Sequence, residues 1–429
     1  MKSFSLLCSC AALLTAPRFG FGAEVPKAPV PSSPFIRVVY GFADAMLKNG
    51  RDSSGSPKGG PFLSALDRNT LSALTNRPSA PEGVGLRDRV GSETGSLVGL
   101  NPHHDENLLR LLSTLTDLSS KPNYRAAADA ELKGFVSEPS KDAFFRPWML
   151  WDRCFELSPA ASKQFVLGLL QNFNTSGALD SQRNAGFNIR AWIVAYAHTM
   201  DEQFIAATAA VLDRYETNAS LPPSLSLAID CDGAAHRVPE PLPSRLRALA
   251  KRQDDGFCSL PHDLKRSKGF LIQTPNSVVE SKQRRTPLWK ADSGGYTTAQ
   301  VGMMCVSRYD NTGRTDYRDW IFAAVDAYLD SLPAHNEDVW PATFGHAISL
   351  ELAAWRHSAN RIYMERARRL GDWAVEKFWG TNALPRASLK SEHYEAITGA
   401  DTLALALLDL HLNILHITAV RCPPNTIDR

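Results

Sequence analysis

Three groups that can exchange protons stand side by side in His393-Tyr394-Glu395. An imidazole or a phenol can take a proton in a transition state, and a neighbouring carboxylate can supply one or balance the charge. An apolar stretch that predicts a helix follows directly, so Tyr394 and Glu395 could equally cap and pack that helix. Both interpretations stay open, and the three residues are candidate catalytic residues.

His346 is the second candidate, in the string TFGHAISLELAAW. Its apolar surroundings predict a mostly buried helix, so the alternative is a hydrogen-bonded core histidine.

Polar strings precede or open six predicted helices, and they are rich in His, Arg, Asn, Trp and Tyr. Aromatic faces stack on sugar rings, amide and guanidinium groups bind hydroxyls and carboxylates, and helix N-termini favour anions. This chemistry predicts a carbohydrate site. The strings are NPHHDE (101–106), FRPWMLWDR (145–153), SQRNAGFN (181–188), LWKADSGGYTT (288–298), VWPATFGH (339–346) and KSEHYE (390–395). Their candidate substrate-binding residues are His104, Asn184, Asn188, Tyr296 and Trp340.

The string AIDCDGAAHR holds further titratable groups. Asp230 and Asp232 could bind Ca²⁺ or form an acid/base pair, although the string does not match an EF-hand loop and could be a structural turn. Asp232 and His236 are kept as candidate substrate-binding residues. No other cofactor is expected. The pair His103-His104 lacks the spacing of a known metal motif, and Asp105 as a helix cap explains the same residues.

Apolar residues recur with helical period along nearly the whole chain, which predicts an all-α protein. Four amphipathic helices open with an aromatic residue after a polar turn, and each follows a more apolar helix. That asymmetry predicts inner and outer helices in pairs. The four opening residues are Tyr124, Phe204, Tyr317 and Tyr363.

About six such pairs resemble the (α/α)6 toroid of many polysaccharide lyases, glycoside hydrolases and N-acylglucosamine 2-epimerase-like enzymes. The string YEAITGADTLALALLDLHL (394–412) is similar to inner helices of these enzymes, and the chain from 225 onward resembles a group of secreted bacterial proteins of unassigned activity. The expected architecture is one toroid domain over 35–429, with two long loop inserts at 51–100 and 220–295.

The resemblance implies a carbohydrate-active enzyme, first of all a polysaccharide lyase acting on a uronate-containing glycan. In that interpretation His393 or Tyr394 takes the proton, and Arg183, Asn184 or Asn188 neutralises the carboxylate. His346 or His104 would then assist the leaving oxygen.

Two other enzymes and a binding module are the alternatives. A glycoside hydrolase would need two carboxylates from a pool of Asp105, Asp152, Asp232 and Glu395. An epimerase would use His346 and His393, although Ser349 stands where the epimerase-like pattern has Glu. A non-catalytic secreted glycan-binding module is the third alternative.

The N-terminus has the pattern of an exported protein. Residues 1–23 combine Lys2, an apolar run and small residues as a signal peptide does, and the Pro-rich stretch 24–34 predicts a tether. Export to the periplasm or the exterior is therefore expected, and no later apolar run is long enough for a membrane span. With 47 Lys+Arg against 45 Asp+Glu the net charge is +2, which argues against a nucleic-acid partner.

Overall fold

The computed structural model describes residues 33–52, 61–74, 76–85, 89, 102–137, 145–176, 182–217, 222–273 and 283–427. The expected signal peptide lies outside these ranges, as does nearly all of the tether.

Two kinds of helix follow from the apolar pattern. Helix Pro341–Ser358 buries residues on almost every side, from Pro341 to Ala354. Helix Arg361–Ala374 buries one stripe and shows a charged face to solvent. A helix that is apolar all round must be enclosed, whereas a striped helix can cover it.

The helices alternate between these kinds along the chain. In chain order they are α1 (Pro34–Asn49), α2 (Pro102–Ser119), α3 (Pro122–Ser137), α4 (Trp148–Leu157), α5 (Pro159–Ser176), α6 (Gln182–Thr199), α7 (Glu202–Thr217), α8 (Leu225–Ala235), α9 (Leu242–Cys258), α10 (Leu264–Ser267), α11 (Thr298–Thr312), α12 (Thr315–Tyr328), α13 (Pro341–Ser358), α14 (Arg361–Ala374) and α15 (Ala400–Ile414). A π-helical turn, Val375–Trp379, extends α14, and a 3₁₀ turn, Ala396–Thr398, precedes α15.

The inner helices follow one another around a ring. They pack on one another in the order α4, α6, α8, α11, α13, α15 and α2. The ring is closed by α3, the outer partner of α2, which packs on α4. Each inner helix has its own outer helix, and α1 is the outer partner of α15. The predicted (α/α) toroid is confirmed, and the described residues contain seven inner/outer pairs, one more than six.

Three of the four aromatic residues that open outer helices are tyrosines whose hydroxyls bond to a neighbouring helix pair. The Tyr124 hydroxyl donates to Asp44 of α1 at 2.6 Å, and the Tyr317 hydroxyl donates to Asp254 of α9 at 2.5 Å. Tyr363 reaches Asp326 of α12 at 3.3 Å. At the three tyrosines, the repeat in the sequence is therefore a repeated bond between successive outer helices, whereas Phe204 has no hydroxyl to form one.

The interval 220–295 differs from the expected loop insert. It contains the inner/outer pair α8 and α9, followed by α10 and a hairpin of β3 (Leu271–Gln273) and β4 (Gln283–Arg285). Two aspartates of the expected loop insert, Asp230 and Asp232, lie on helix α8. In the fold Asp230 binds Arg190 of α6, and Asp232 binds Arg308 of α11.

The described part of 51–100 carries two short strands, β1 (Ala65–Asp67) and β2 (Ser72–Ala73). They form an antiparallel sheet in the order β2-β1-β5 with β5 (Tyr394–Glu395), in which Ala65 pairs with Glu395. No helix in the described ranges is both long and apolar enough to cross a membrane.

Candidate functional site

A cavity of about 260 Å³ opens inside the ring of inner helices. Four of its lining residues are charged, namely Arg110 of α2, Arg146 just before α4, Arg190 of α6 and Asp230 of α8. The other lining residues are Pro147, Trp148, Met149, Ser226, Ile229, Met304, Pro424, Asn425, Thr426 and Ile427.

Arg190 and Asp230 join two inner helices across this cavity. The Arg190 Nε donates to Asp230 Oδ1 at 2.6 Å, and both side chains are buried. Gly186 lies one turn before Arg190 on α6, and a Cβ there would lie 1.9 Å from Asp230 Oδ2. Only glycine lets the carboxylate approach α6 so closely.

Arg146 has contacts through both its side chain and its backbone. Its guanidinium carbon lies 3.9 Å from the centre of the Phe187 ring, a cation–π contact. Its carbonyl accepts a hydrogen bond from Arg190, and its backbone N–H donates to Glu106 Oε1 at 2.5 Å. The loop before α4 is thus fixed with a guanidinium at the cavity.

The chain beyond α15 returns into the ring. Its residues 422–427, called the 422–427 segment, contact the inner helices. Arg110 donates to the Pro424 carbonyl, and also to Thr426 Oγ1 at 3.1 Å. The Thr426 N–H donates to Asn107 Oδ1 at 3.1 Å, and this same oxygen accepts from Arg110 at 3.1 Å. The segment is thereby bound to α2.

The 422–427 segment also binds the three inner helices that follow α8. The Asn425 amide donates to Ser349 Oγ of α13 at 3.0 Å and to the Thr402 carbonyl of α15 at 3.1 Å. Gln300 of α11 donates to the Ile427 carbonyl at 3.0 Å. Asn425 and Thr426 are buried.

His346, a predicted catalytic residue, contacts this segment. It is buried on α13, and its Nε2 lies 3.2 Å from the Thr426 carbonyl oxygen. A carbonyl only accepts, so Nε2 carries the hydrogen in this bond. Trp340 caps the same helix and is buried, with its indole N–H donating to the Glu82 carbonyl at 2.9 Å.

The predicted trio at 393–395 separates into two parts. His393 Nε2 lies 2.7 Å from Glu395 Oε2, and Arg89 grips the same carboxylate through both oxygens, at 2.5 and 2.8 Å. Burial alone would raise the pKa of Glu395, but the hydrogen bonds from His393 and Arg89 outweigh it and lower the pKa. Tyr394 is buried, 6.1 Å from the Phe42 ring.

The remaining candidates are spread around the ring. Asn188 is buried on α6, Asn184 is exposed one turn earlier, and His104 is buried on α2. Arg183 lies in the first turn of α6, and its side chain is outside the described part of the structure. Tyr296 is half-buried just before α11, and His236 is exposed at the end of α8. None of these residues is among the cavity-lining residues given above.

Three of the four carboxylates in the hydrolase pool have an arginine partner. Asp152 binds Arg237 at 2.8 and 2.9 Å, while Asp232 and Glu395 bind Arg308 and Arg89. The fourth, Asp105, is buried on α2. Because Asp230 and Asp232 face different arginines, no shared pair of carboxylates is formed there, and Ca²⁺ at this place stays a prediction. Within the described ranges, no three His, Cys, Asp or Glu side chains group as metal ligands.

Sequence reasoning missed the cavity arginines. Arg110 and Arg190 are buried charges on inner helices, and a charge on a helix that is otherwise apolar is itself a signal of a partner or a site. Arg146 lies in the polar string 145–153, in which Asp152 is the only predicted candidate. The 422–427 segment carried no signal beyond its two prolines.

Solved structures share this fold at low sequence identity. A D-mannose isomerase matches with a TM-score of 0.50 and 8% identity, over 89% of this chain and 97% of its own. The GH76 α-mannanase of Bacteroides thetaiotaomicron matches with a TM-score of 0.50 and 10% identity, over 90% and 97%. An unsaturated glucuronyl hydrolase specific for heparin gives a TM-score of 0.44 and 11% identity, over 90% and 98%. No protein-family model and no curated protein matches the sequence. The predicted resemblance to toroid carbohydrate-active enzymes is confirmed for the fold.

Proposed function

We propose that the protein is a carbohydrate-active enzyme whose substrate carries an anionic group, and that it is a lyase acting on a uronate-containing glycan. The observation that supports this is the set of three arginines, Arg110, Arg146 and Arg190, around one cavity with a single lining carboxylate, Asp230. Guanidinium groups bind carboxylates through two parallel hydrogen bonds, and do so most strongly where water is excluded.

In β-elimination, a base removes the proton next to the uronate carboxylate. The electron pair forms a C=C bond, the C–O bond to the leaving sugar breaks, and the leaving oxygen takes a proton. Negative charge develops on the carboxylate as the proton leaves, and a fixed guanidinium lowers the energy of that state. Arg146 would supply this charge stabilisation. Arg190 is paired with Asp230, and Arg110 donates to the 422–427 segment, so these two arginines add positive charge around the site.

For the proton transfer we assign His393 rather than Tyr394. His393 has an ionised carboxylate partner in Glu395, which orients the ring. Tyr394 is enclosed in the core beside Phe42. His393 precedes α15 by only a few residues and is not among the cavity-lining residues, so this assignment requires the uronate to lie between Arg146 and the start of α15. We further propose that the protein is exported, which N-terminal sequencing of the secreted product would test.

A panel of uronate polymers tests the reaction. Incubation of the purified protein with polygalacturonate, alginate or hyaluronan should yield the ultraviolet absorbance of an unsaturated uronate on at least one polymer. Reducing ends without that absorbance would show hydrolysis instead, and a change of sugar configuration by NMR without cleavage would show isomerisation or epimerisation.

The arginine assignment has its own matched variants. Arg146→Gln should lower kcat/KM by about 10²-fold. Arg146→Lys should lower kcat/KM less, because the ammonium keeps the charge but cannot form two parallel hydrogen bonds to a carboxylate. Arg318→Gln, on the exposed face of α12, is the control for the same chemical change. If Arg146→Gln and Arg318→Gln have equal activity, the arginine assignment is wrong.

A further inference from the structure

The 422–427 segment divides the space inside the ring. The cavity-lining residues within the described structure come from α2, α4, α6, α8 and α11, from the loop before α4, and from the segment itself. None comes from α13 or α15. The inner faces of those two helices are covered instead, by Asn425 on Ser349 and Thr402 and by the Thr426 carbonyl on His346.

The segment is suited to a permanent position. Pro423 and Pro424 fix their own φ angles and carry no backbone N–H, so this stretch has few conformations to lose when it docks. The polar groups of the residues that follow are bound by side chains of α2, α11 and α13 and by a backbone carbonyl of α15, so the segment is anchored on four helices.

The remaining space is small. A cavity of about 260 Å³ is slightly below the ~300–1,000 Å³ of ordinary ligand pockets. A cavity of this size encloses one or two sugar units, and the segment forms its wall on the α13 and α15 side.

We propose that the 422–427 segment is a specificity-determining wall, which limits the site to the terminal sugar of an anionic glycan. This inference rests on the proposed function for the class of sugar, but the wall itself is a statement about geometry. Arg110 is placed by the wall, since Pro424 and Thr426 accept its guanidinium hydrogens, and it is a positioning residue at the boundary of the pocket.

The wall can be tested without any sugar. The experiment measures how fast phenylglyoxal modifies Arg110, by peptide mass spectrometry. It compares the full chain with two variants: one that lacks residues from 422 onward, and the double variant Asn425→Ala/Thr426→Gly. Arg110 should react at least about tenfold faster in the shortened variant, because protected groups react through local opening. Arg318 in the same samples serves as the internal reference. Equal rates in the full and shortened chains would overturn the proposal.

The length of the bound glycan is tested with galacturonate and its hexamer by calorimetry. The full chain should bind both with similar affinity, and the altered chains should gain about tenfold or more for the hexamer alone. A full chain that already prefers the hexamer tenfold would overturn the wall. If no chain binds either sugar, the uronate proposal fails, while the Arg110 rates still decide the wall.

Asn413→Ala is the matched control, since its amide binds Asp409 at the other end of α15. Circular dichroism confirms folding of each variant. If the shortened chain does not fold, the double variant decides both measurements.

Discussion

His346 Nε2 lies 3.2 Å from the carbonyl oxygen of Thr426, so the histidine of α13 binds the chain's own backbone. The nitrogen that would exchange a proton with a sugar carries a hydrogen that this carbonyl accepts. His346 therefore holds the 422–427 segment in position, and the epimerase interpretation would require that segment to leave.

Substitution of His346 distinguishes these roles. His346→Leu should lower the free energy of unfolding by about 1–3 kcal/mol, because the buried Thr426 carbonyl loses its donor. His346→Gln, which keeps an N–H donor, should lose less. Urea denaturation measures both, and activity is compared on whichever polymer the wild-type protein degrades.

The activity of these variants gives the contrary outcome. If His346→Gln keeps full stability and loses all turnover, His346 acts on substrate and the segment moves during the reaction.

His393 and Tyr394 are neighbours in sequence with opposite surroundings in the fold. His393→Gln should reduce kcat by about 10²–10⁴-fold in the elimination assay, as expected for loss of a general base. Tyr394→Phe should leave kcat unchanged because its ring is enclosed beside Phe42. Steady-state kinetics on both variants, with thermal melts as the control for folding, would identify Tyr394 as the base if the two results were exchanged.

The layers of the toroid were predictable because burial of a helix depends on its own sequence pattern. α13 is apolar all round and α14 is striped, and both properties can be counted in a window of about four turns. The aromatic repeat was visible for the same reason, although its meaning, the bond from Tyr363 to Asp326 on the preceding outer helix, required the fold.

The candidate site was not predictable to the same degree because its partners are distant in sequence. Arg190 and Asp230 are 40 residues apart, and Asn107 and Thr426 are 319 residues apart. His393 and Glu395, two residues apart in the sequence, are in contact in the structure, and no signal in the sequence pointed to their partner Arg89.

Arg308 is a buried charge between two helix pairs. Its guanidinium binds Asp254 at 2.9 and 2.6 Å and also binds Asp232, while Tyr317 donates to Asp254 at 2.5 Å. Arg308→Leu should cost about 3–5 kcal/mol of unfolding free energy, because Asp254 stays buried without its cation. Tyr317→Phe should cost only about 1 kcal/mol.

A double-mutant cycle measures the coupling in this cluster. The double variant Arg308→Leu/Asp254→Asn should lose less unfolding free energy than the two single variants lose together. The reason is that it no longer contains the buried Asp254 charge that Arg308→Leu leaves without a cation. Additive losses in urea denaturation would mean that Arg308 contributes through packing alone.

Glu351 is a buried carboxyl on α13, and burial raises its pKa to about 9 despite the opposing charge of Arg366. A group whose pKa is higher in the folded than in the unfolded state is protonated on folding. Its contribution to stability is therefore fully present below the unfolded pKa of about 4.5 and is lost as pH rises toward 9.

Glu351→Gln should remove this dependence. Between pH 5 and pH 8.5, the unfolding free energy of the wild-type protein should fall relative to the variant by up to about 1.4 kcal/mol per pH unit. Urea denaturation across this range measures the difference. Glu365→Gln, on the solvent-facing side of α14, is the control that should keep the wild-type slope. Parallel curves of unfolding free energy against pH for the wild-type protein and Glu351→Gln would mean that Glu351 is ionised in the folded state and paired with Arg366.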